Sequence, residues 1–158
     1  MATRSGIGIM NPHTGSIKAI YCHWDGYLEH NGSLLEKHYN SSPKVNNLIA
    51  LGDLSSLRPE IGVAHPFGYH GTEISAEDYE KQFGDMCTYY TRDRGENCPY
   101  RMYQSRKEFV DSVDGEYFYL FCYDPDLNSG KWFYKHYKSP AWKRLATALK
   151  KLDEKECA

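Results

Sequence analysis

Apolar and polar positions are patterned most clearly near the two ends of the chain, where they predict two β-hairpins. At the start, residues 6–10 and 16–24 flank a turn that contains Asn, Pro and Gly. Toward the end, residues 116–123 and 131–138 flank a second turn-rich segment. Residues 116–123 and the end of 16–24 carry apolar side chains on both faces, which is typical of strands covered on both sides. A further strand is predicted over residues 86–91.

Two helices are predicted directly after the first hairpin. Ser33 and Glu36 have the spacing of a capping box, in which each side chain accepts a hydrogen bond from the other residue's backbone amide. Ser42 and Pro43 fit the first positions of the next helix, and Gly52 fits its end. The apolar residues of this second helix recur at helical spacing: Val45, Leu48 and Ile49.

Two later segments also carry helix-start signals. Ser75 precedes a short predicted helix that extends to residue 83. Ser139 and Pro140 are placed to start a final helix. On that helix five apolar residues form one stripe that can pack on a sheet: Trp142, Leu145, Ala146, Leu149 and Leu152. Residues 92–97 are charged and contain a glycine, which predicts a turn.

Hairpins at both ends with short helices between them predict a single α+β domain over residues 1–158. We expect an antiparallel sheet of about five strands built from the two hairpins. The short helices are expected on one face of this sheet, together with a C-terminal helix. A chain of 158 residues is long enough to bury a hydrophobic core without disulfides or metals. Gly6 and Gly8 lack the third glycine of a dinucleotide-binding loop and are expected to permit close packing instead.

The charge balance and the hydropathy of the chain limit the classes of partner that the protein is expected to bind. The chain has 19 basic and 21 acidic residues and a formal net charge of −2. Dedicated nucleic-acid-binding proteins usually carry a strong basic excess, so we expect no strong nucleic-acid binding. No run approaches the roughly 18 apolar residues of a membrane-spanning helix, and the first residues lack the apolar segment of a signal peptide. These features predict a cytoplasmic protein.

Cysteine and histidine spacing gives no metal or cofactor signature. The five cysteines include no C-x-x-C pair, which argues against zinc ribbons and thioredoxin-type sites. The seven histidines show no H-E-x-x-H or comparable spacing. An odd number of cysteines without a signal peptide is typical of reduced thiols in a cytoplasm. We therefore expect no resident metal ion and no cofactor.

Residues 21–27 form the densest run of chemically versatile side chains. Cys22, His23 and Asp25 are residue types that can serve as a nucleophile, a base and an orienting acid. Neighbouring strand residues point to opposite faces of a sheet, so Cys22 and His23 are poorly placed to share a hydrogen bond. We therefore favour a structural corner, with Trp24 largely buried and the Asp25 carboxylate bonded to backbone amides of the following turn.

Arginine and tyrosine residues cluster between residues 89 and 106. Guanidinium groups bind phosphate or carboxylate through two parallel hydrogen bonds, and tyrosine rings stack on planar groups. Such a surface would hold a nucleotide-like ligand or an acidic partner. The alternative interpretation is a solvated loop, in which the arginines pair with Asp93 and Glu96 and bind no partner. The binding hypothesis assigns seven residues to a partner and none to catalysis: Tyr89, Arg92, Arg94, Arg101, Tyr103, His23 and Trp24.

Three runs in the first third of the chain form a recognisable signature. They are Arg-Ser-Gly-Ile-Gly at 4–8, Gly-Ser-Ile-Lys-Ala-Ile-Tyr-Cys-His-Trp-Asp-Gly-Tyr at 15–27, and Leu-Ile-Ala-Leu-Gly-Asp-Leu-Ser-Ser-Leu at 48–57. With these runs the chain resembles a family of small proteins encoded by tailed phages and prophages. The likeness covers roughly residues 4–62, and the region from Pro59 to Gly115 carries no signature that can be placed.

The resemblance implies a phage accessory protein that acts in the bacterial host cytoplasm. Small non-enzymatic accessory proteins of phages often counter host immunity, so we expect an inhibitor of antiviral defence and a homo-oligomer. Its partner would be a host defence protein that it occludes, such as a CRISPR complex, or a nucleotide immune signal that it sequesters. The alternatives are a small hydrolase that acts on a nucleotide signal through His23 and Asp25, and a phage housekeeping protein.

Overall fold

The described residues, 2–157, form eight strands that pair into one mixed sheet. In this computed structural model, side chains are described through residue 155. The strands are β1 Ser5–Met10, β2 Ile17–Cys22, β3 Leu54–Ser56, β4 Thr88–Tyr89, β5 Arg101–Tyr103, β6 Tyr117–Tyr123, β7 Gly130–His136 and β8 Lys143–Arg144. Across the sheet they run β4-β3-β2-β1-β6-β7-β8, and β5 also pairs with β2.

Both predicted hairpins form, and they meet in the middle of the sheet. β1 and β2 are antiparallel, as are β6 and β7. β1 and β6 lie parallel, from Ser5 opposite Tyr117 to Met10 opposite Cys122. The described residues therefore correct the expectation of about five antiparallel strands to eight strands in a mixed sheet. Strand β4 lies within the strand predicted over residues 86–91. Strands β3, β5 and β8 were not predicted, because two or three residues are too few to show a period of two.

Helices lie on both faces of the sheet rather than on one face. The same described residues contain six α-helices: α1 Ser33–His38, α2 Ser42–Ala50, α3 Ala76–Phe83, α4 Tyr90–Arg94, α5 Arg106–Ser112 and α6 Leu145–Cys157. On one face, α1, α2 and α6 share a core with Ile7, Ile20 and Phe121. On the other face, α5 buries Phe109 against Phe118. The second face is apolar, so helices on one face alone would have left it open to water.

Gly6 and Gly8 permit the close packing that the sequence predicts. A Cβ atom added at Gly6 would lie 2.9 Å from the ring of Phe109, and one added at Gly8 would lie 2.8 Å from the side chain of Ile17. Neither distance leaves room for a methyl group. The two glycines therefore allow the side chains of Phe109 in α5 and Ile17 in β2 to pack directly on the backbone of β1.

The first two helices begin at different residues from those expected, because the preceding chain decides where each helix starts. A π-helical turn, Leu28–Gly32, runs directly into α1, so Ser33 lies inside a continuous helix and makes no capping hydrogen bond. At α2, Ser41 rather than Ser42 is the capping residue and accepts a hydrogen bond from the amide of Lys44. The prediction of a capping box at Ser33 is therefore wrong. The prediction of Ser42 as the capping residue of α2 is wrong by one position.

The last helix also begins later than expected. α6 starts at Leu145 and not beside Ser139, because the residues before it pair with β7 as strand β8. Trp142 therefore lies outside the helix and packs on the other face of the sheet, with its ring centre 6.5 Å from that of Phe109. Part of the predicted turn at residues 92–97 is likewise helical and belongs to α4.

Candidate functional site

Two of the seven residues assigned to binding, Tyr89 and Tyr103, lie in the core. Tyr89 is fully buried, and its hydroxyl donates a 2.6 Å hydrogen bond to the carbonyl oxygen of Leu48. Tyr103 is also buried and packs against Phe109, with 5.9 Å between the ring centres. Their assignment as ligand-stacking residues is therefore corrected, because a buried ring offers no open face to a ligand.

Arg92 belongs to an internal network rather than to the surface. Its guanidinium donates hydrogen bonds to the carbonyl oxygens of Ile61, Gly62 and Cys87, at 3.0, 3.2 and 2.9 Å. It also donates to both carboxylate oxygens of Asp93, at 3.0 and 3.2 Å. The side chain is 13% exposed. Arg92 is therefore a structural residue, which corrects its assignment as a charged anchor for a partner.

Arg94 and Arg101 occupy the exposed positions expected of binding residues. Arg94 forms an ion pair with Glu96, and Arg101 forms one with Asp53 at 3.5 Å. Both arginine side chains are about half exposed. The Arg94–Glu96 pair is exposed on both sides, and such pairs contribute little to stability, so an acidic group of a partner could take the place of Glu96. Asp53, by contrast, is buried and also accepts a hydrogen bond from the Tyr21 amide.

Trp24 lies at the surface, which corrects the expectation that it is buried. β2 ends at Cys22, and the chain then turns sharply through Asp25, whose φ angle of 57° lies in the left-handed region. Gly26 completes this corner against the N-terminal segment, where an added Cβ atom would lie 2.8 Å from the carbonyl oxygen of Thr3. The corner turns the indole of Trp24 outward and leaves the residue 46% exposed.

Backbone groups and the Asn31 side chain hold the corner together, instead of the Asp25 carboxylate. The Gly26 amide donates to the carbonyl oxygen of Thr3 at 2.8 Å, and the Asn31 amide donates to that of Asp25 at 3.2 Å. The Asn31 side chain donates to the carbonyl oxygen of Trp24, also at 3.2 Å. Within the described part of the chain, the expected hydrogen bonds from turn amides to the Asp25 carboxylate do not form, and the Gly26 amide is paired with Thr3 instead.

Tyr21 orients His23 on the same face of β2. The Tyr21 hydroxyl lies 2.7 Å from Nδ1 of His23. Burial raises the pKa of Tyr21 to about 12, so the hydroxyl stays protonated at neutral pH and can donate to this nitrogen. The His23 ring also meets the Trp24 ring edge-on, with 4.7 Å between their centres. Tyr21, His23 and Trp24 thus form a fixed aromatic cluster at the end of β2.

Cys22 is not placed to act together with His23. Its side chain is fully buried in the core on the opposite face of β2, and its sulfur lies 3.4 Å from the side-chain nitrogen of Asn31. Burial raises the pKa of the Cys22 thiol to about 12, so the thiolate needed for nucleophilic attack is scarce at neutral pH. Among the described residues, no three His, Cys, Asp or Glu side chains are arranged to hold a metal ion.

Thiol labelling tests the burial of Cys22. In the folded protein at neutral pH, we expect an alkylating reagent to modify the partly exposed Cys98 well before Cys22. Labelling of Cys22 should stay slow even at about pH 9, because its pKa of about 12 keeps it in the thiol form. Peptide mapping by mass spectrometry distinguishes the two sites. Rapid labelling of Cys22 in the folded state would contradict its buried position and revive a nucleophilic role.

A second aromatic cluster lies beside the first. The guanidinium carbon of Arg94 lies 4.5 Å from the ring centre of Phe67 and 5.2 Å from that of Tyr90. Strand β3 connects the two clusters. The Ser55 carbonyl oxygen accepts a 3.0 Å hydrogen bond from the Trp24 amide, and the neighbouring Leu54 pairs with Tyr89, the residue before Tyr90. Burial raises the pKa of Tyr90, and the Ser55 side chain opposes that shift. We call the combined area the β2 aromatic surface, which consists of Tyr21, His23, Trp24, Phe67, Tyr90 and Arg94.

The assignment from the sequence omits three members of the β2 aromatic surface: Tyr21, Phe67 and Tyr90. Tyr21 and His23 are two residues apart on a strand, which places them on one face. Tyr90 and Arg94 are four residues apart in a helix, a spacing that also brings side chains together. Both spacings could have revealed these members. Phe67 lies in an irregular loop, where no periodicity predicts the direction of a side chain.

Comparison with known proteins assigns no family to this chain. No protein-family model, curated protein or solved structure matches it significantly. No helix in the described part of the chain is both long and apolar enough to cross a membrane. The candidate site therefore rests on the geometry of its own residues.

Proposed function

We propose that the protein is a non-enzymatic phage inhibitor of bacterial antiviral defence. In this proposal it binds and occludes a host defence protein, such as a CRISPR complex, through the β2 aromatic surface. The observation that carries the proposal is the exposed indole of Trp24, held edge-on against His23 at the end of β2. Around this exposed indole lie partly exposed rings of Tyr21, His23, Phe67 and Tyr90. A grouping of solvent-accessible aromatic groups is typical of a surface that a partner covers.

The composition of the β2 aromatic surface fits a protein partner. Trp, Tyr and Arg are enriched at protein interfaces and among the residues that dominate binding energy. The rings are also held in place before binding, since Tyr21 contacts His23 and Arg94 lies over Tyr90. Side chains that are fixed in advance lose little conformational entropy on association. The surface is therefore suited to tight contact with a second protein.

The open shape of the surface favours occlusion of a protein over sequestration of a small signal. Sequestration requires a concave pocket in which charged and aromatic groups converge. Tyr21, His23 and Trp24 instead lie side by side along the end of one strand. A hydrolase that uses His23 with Asp25 has less support, because Nδ1 of His23 faces the Tyr21 hydroxyl.

The resemblance to phage proteins supports the proposed setting. It spans residues 4–62, a range that includes Tyr21, His23 and Trp24. We propose that the protein acts in the bacterial host cytoplasm during infection. We also propose that it forms a homo-oligomer, which would present several copies of the surface to the defence protein.

Infection of defended bacteria tests the proposal. Bacteria that carry an active defence system and express the wild-type protein are expected to lose their protection, so that phage form plaques efficiently. Trp24→Ala should restore protection while the melting temperature stays near that of the wild type. Truncating a central interface tryptophan typically weakens binding by about thirtyfold or more, which corresponds to about 2 kcal/mol.

Leu127→Ala is the matched control for Trp24→Ala. Leu127 is 69% exposed and lies between β6 and β7, at the opposite end of the sheet from Trp24. Its variant is expected to inhibit defence as well as the wild type does. Full inhibition by Trp24→Ala would contradict the proposal, and so would an equal loss of inhibition in both variants.

A further inference from the structure

α5 covers only part of its face of the sheet and leaves a groove beside it. The groove has a volume of about 500 Å³, within the range of about 300–1,000 Å³ that small-molecule sites occupy. Side chains of β1 and β6 form its floor: Met10, Leu120 and Cys122. The groove lies where β1 and β6 end and β2 begins, which is the opposite end of the sheet from the β2 aromatic surface.

Two aromatic side chains, Phe133 and Trp142, flank this floor. Phe133 lies on β7 directly opposite Leu120 of β6. The Trp142 ring stacks on Phe109 with 21° between the ring planes, so the core fixes its orientation. The guanidinium carbon of Arg144 lies 5.7 Å from the ring centre of Phe133. Two oriented rings beside an apolar floor can hold a planar aromatic group by stacking and edge contacts.

The rim of the groove is polar and positively charged. It is formed by Gln104, Ser105 and Arg106. Arg106 forms no ion pair with a described acidic residue, unlike Arg94. The Arg106 charge acts on Cys122 in the floor of the groove: burial raises the pKa of the Cys122 thiol, and the Arg106 charge lowers it. The described residues that line the groove include no acidic side chain. An unpaired guanidinium beside an apolar floor favours an anionic ligand.

We infer that the groove defined by Phe133, Trp142 and Arg106 binds a small planar aromatic molecule that carries a negative charge, of the nucleoside monophosphate class. The rings receive the base, and the guanidinium donates to two phosphate oxygens at once. The volume of about 500 Å³ suits one small molecule. The site is independent of the proposed inhibition of defence, because it shares no residue with the β2 aromatic surface.

Calorimetric titration of the wild-type protein with AMP, GMP and UMP tests this site. We expect saturable binding of at least one monophosphate. Adenosine and inorganic phosphate should each bind much more weakly, because each lacks one half of the recognised group. Arg106→Gln should weaken monophosphate binding by about tenfold or more, since it removes charge-assisted hydrogen bonds. Lys107→Gln removes a neighbouring charge that pairs with Asp111 instead, and should bind as the wild type does.

Arg106 is exposed, so its substitution should leave the fold intact, and the melting temperature of the variant checks this. Failure of all three monophosphates to bind would overturn the inference. Equal affinity of the wild type and Arg106→Gln would also overturn it. If inorganic phosphate bound as tightly as a monophosphate, the proposed stacking of the base on Phe133 and Trp142 would be contradicted. Sedimentation would assign the groove to a second copy of the chain if it showed a dimer that Arg106→Gln dissociates and that nucleotide does not affect. That result would also overturn the inference.

Discussion

Asp93→Ala is expected to lower the free energy of unfolding by about 3–5 kcal/mol, the range found when one partner of a buried charge pair is removed. The Asp93 side chain is fully buried. Its carboxylate accepts hydrogen bonds from the backbone amides of His65 and Tyr89, at 3.1 and 2.8 Å, and from the guanidinium of Arg92. The substitution would leave two backbone amides without their acceptor and the Arg92 guanidinium without its counter-ion. Each unpaired buried group is unfavourable.

The Asp93 network joins segments that are far apart in the sequence. Each ring nitrogen of His65 lies 2.9 Å from a carbonyl oxygen, that of Pro66 or that of Cys87. Nε2 of His65 also lies 3.7 Å from the Asp93 carboxylate. The network therefore fixes the loop before α3 against the segment around β4 and the start of α4. Its loss would loosen the side of the molecule that carries Tyr90 and Arg94.

Chemical denaturation followed by circular dichroism measures the effect of Asp93→Ala. Asp111→Ala is the control, because it breaks an exposed ion pair with Lys107 and should lower the free energy of unfolding by less than about 1 kcal/mol. A similarly small loss for Asp93→Ala would contradict a structural role for the network.

Trp132→Ala is expected to lower the free energy of unfolding by about 3–5 kcal/mol as well, the usual range for emptying a large core site. Trp132 is 2% exposed, and its Nε1 donates a 2.8 Å hydrogen bond to the carbonyl oxygen of Tyr39. Its ring centre lies 5.1 Å from that of Phe121. The substitution would therefore leave a cavity and also remove the donor to a buried carbonyl group.

The same denaturation experiment on Trp24→Ala separates the two tryptophans. The sequence alone predicts a large loss of stability for Trp24→Ala, but the exposed indole leads us to expect a change within about 1 kcal/mol. When the two variants are compared, Trp132→Ala should have a much lower free energy of unfolding than Trp24→Ala. A larger loss for Trp24→Ala would contradict the positions of both side chains.

Elements with a strong local pattern can be predicted from this sequence. The strands of both hairpins follow from apolar runs beside turn residues, and the buried stripe of α2, Val45, Leu48 and Ile49, follows from helical periodicity. The parallel pairing of β1 with β6 and the packing of α5 on the second face depend on distant residues. Phe109 of α5, for example, fits only because Gly6, far earlier in the chain, leaves space for its ring. No local window contains that information.

The candidate site was predictable only in part, because neighbours in the sequence need not share a surface. The dense run around His23 and Trp24 does form one end of the β2 aromatic surface. The arginine cluster does not stay together. Arg92 and Arg94 are two residues apart in α4, so their side chains point about 200° apart around the helix. One guanidinium therefore enters the Asp93 network, while the other lies at the surface.

Contact between the β2 aromatic surface and a host defence protein is tested most directly by hydrogen–deuterium exchange, with the inhibitor alone and in complex with the defence protein that it blocks. We predict slower exchange in the complex for peptides that contain residues 21–27 and 90–94, and unchanged exchange for residues 124–130 around Leu127. Protection of residues 124–130 or of the groove beside α5, with residues 21–27 unchanged, would contradict binding through the β2 aromatic surface.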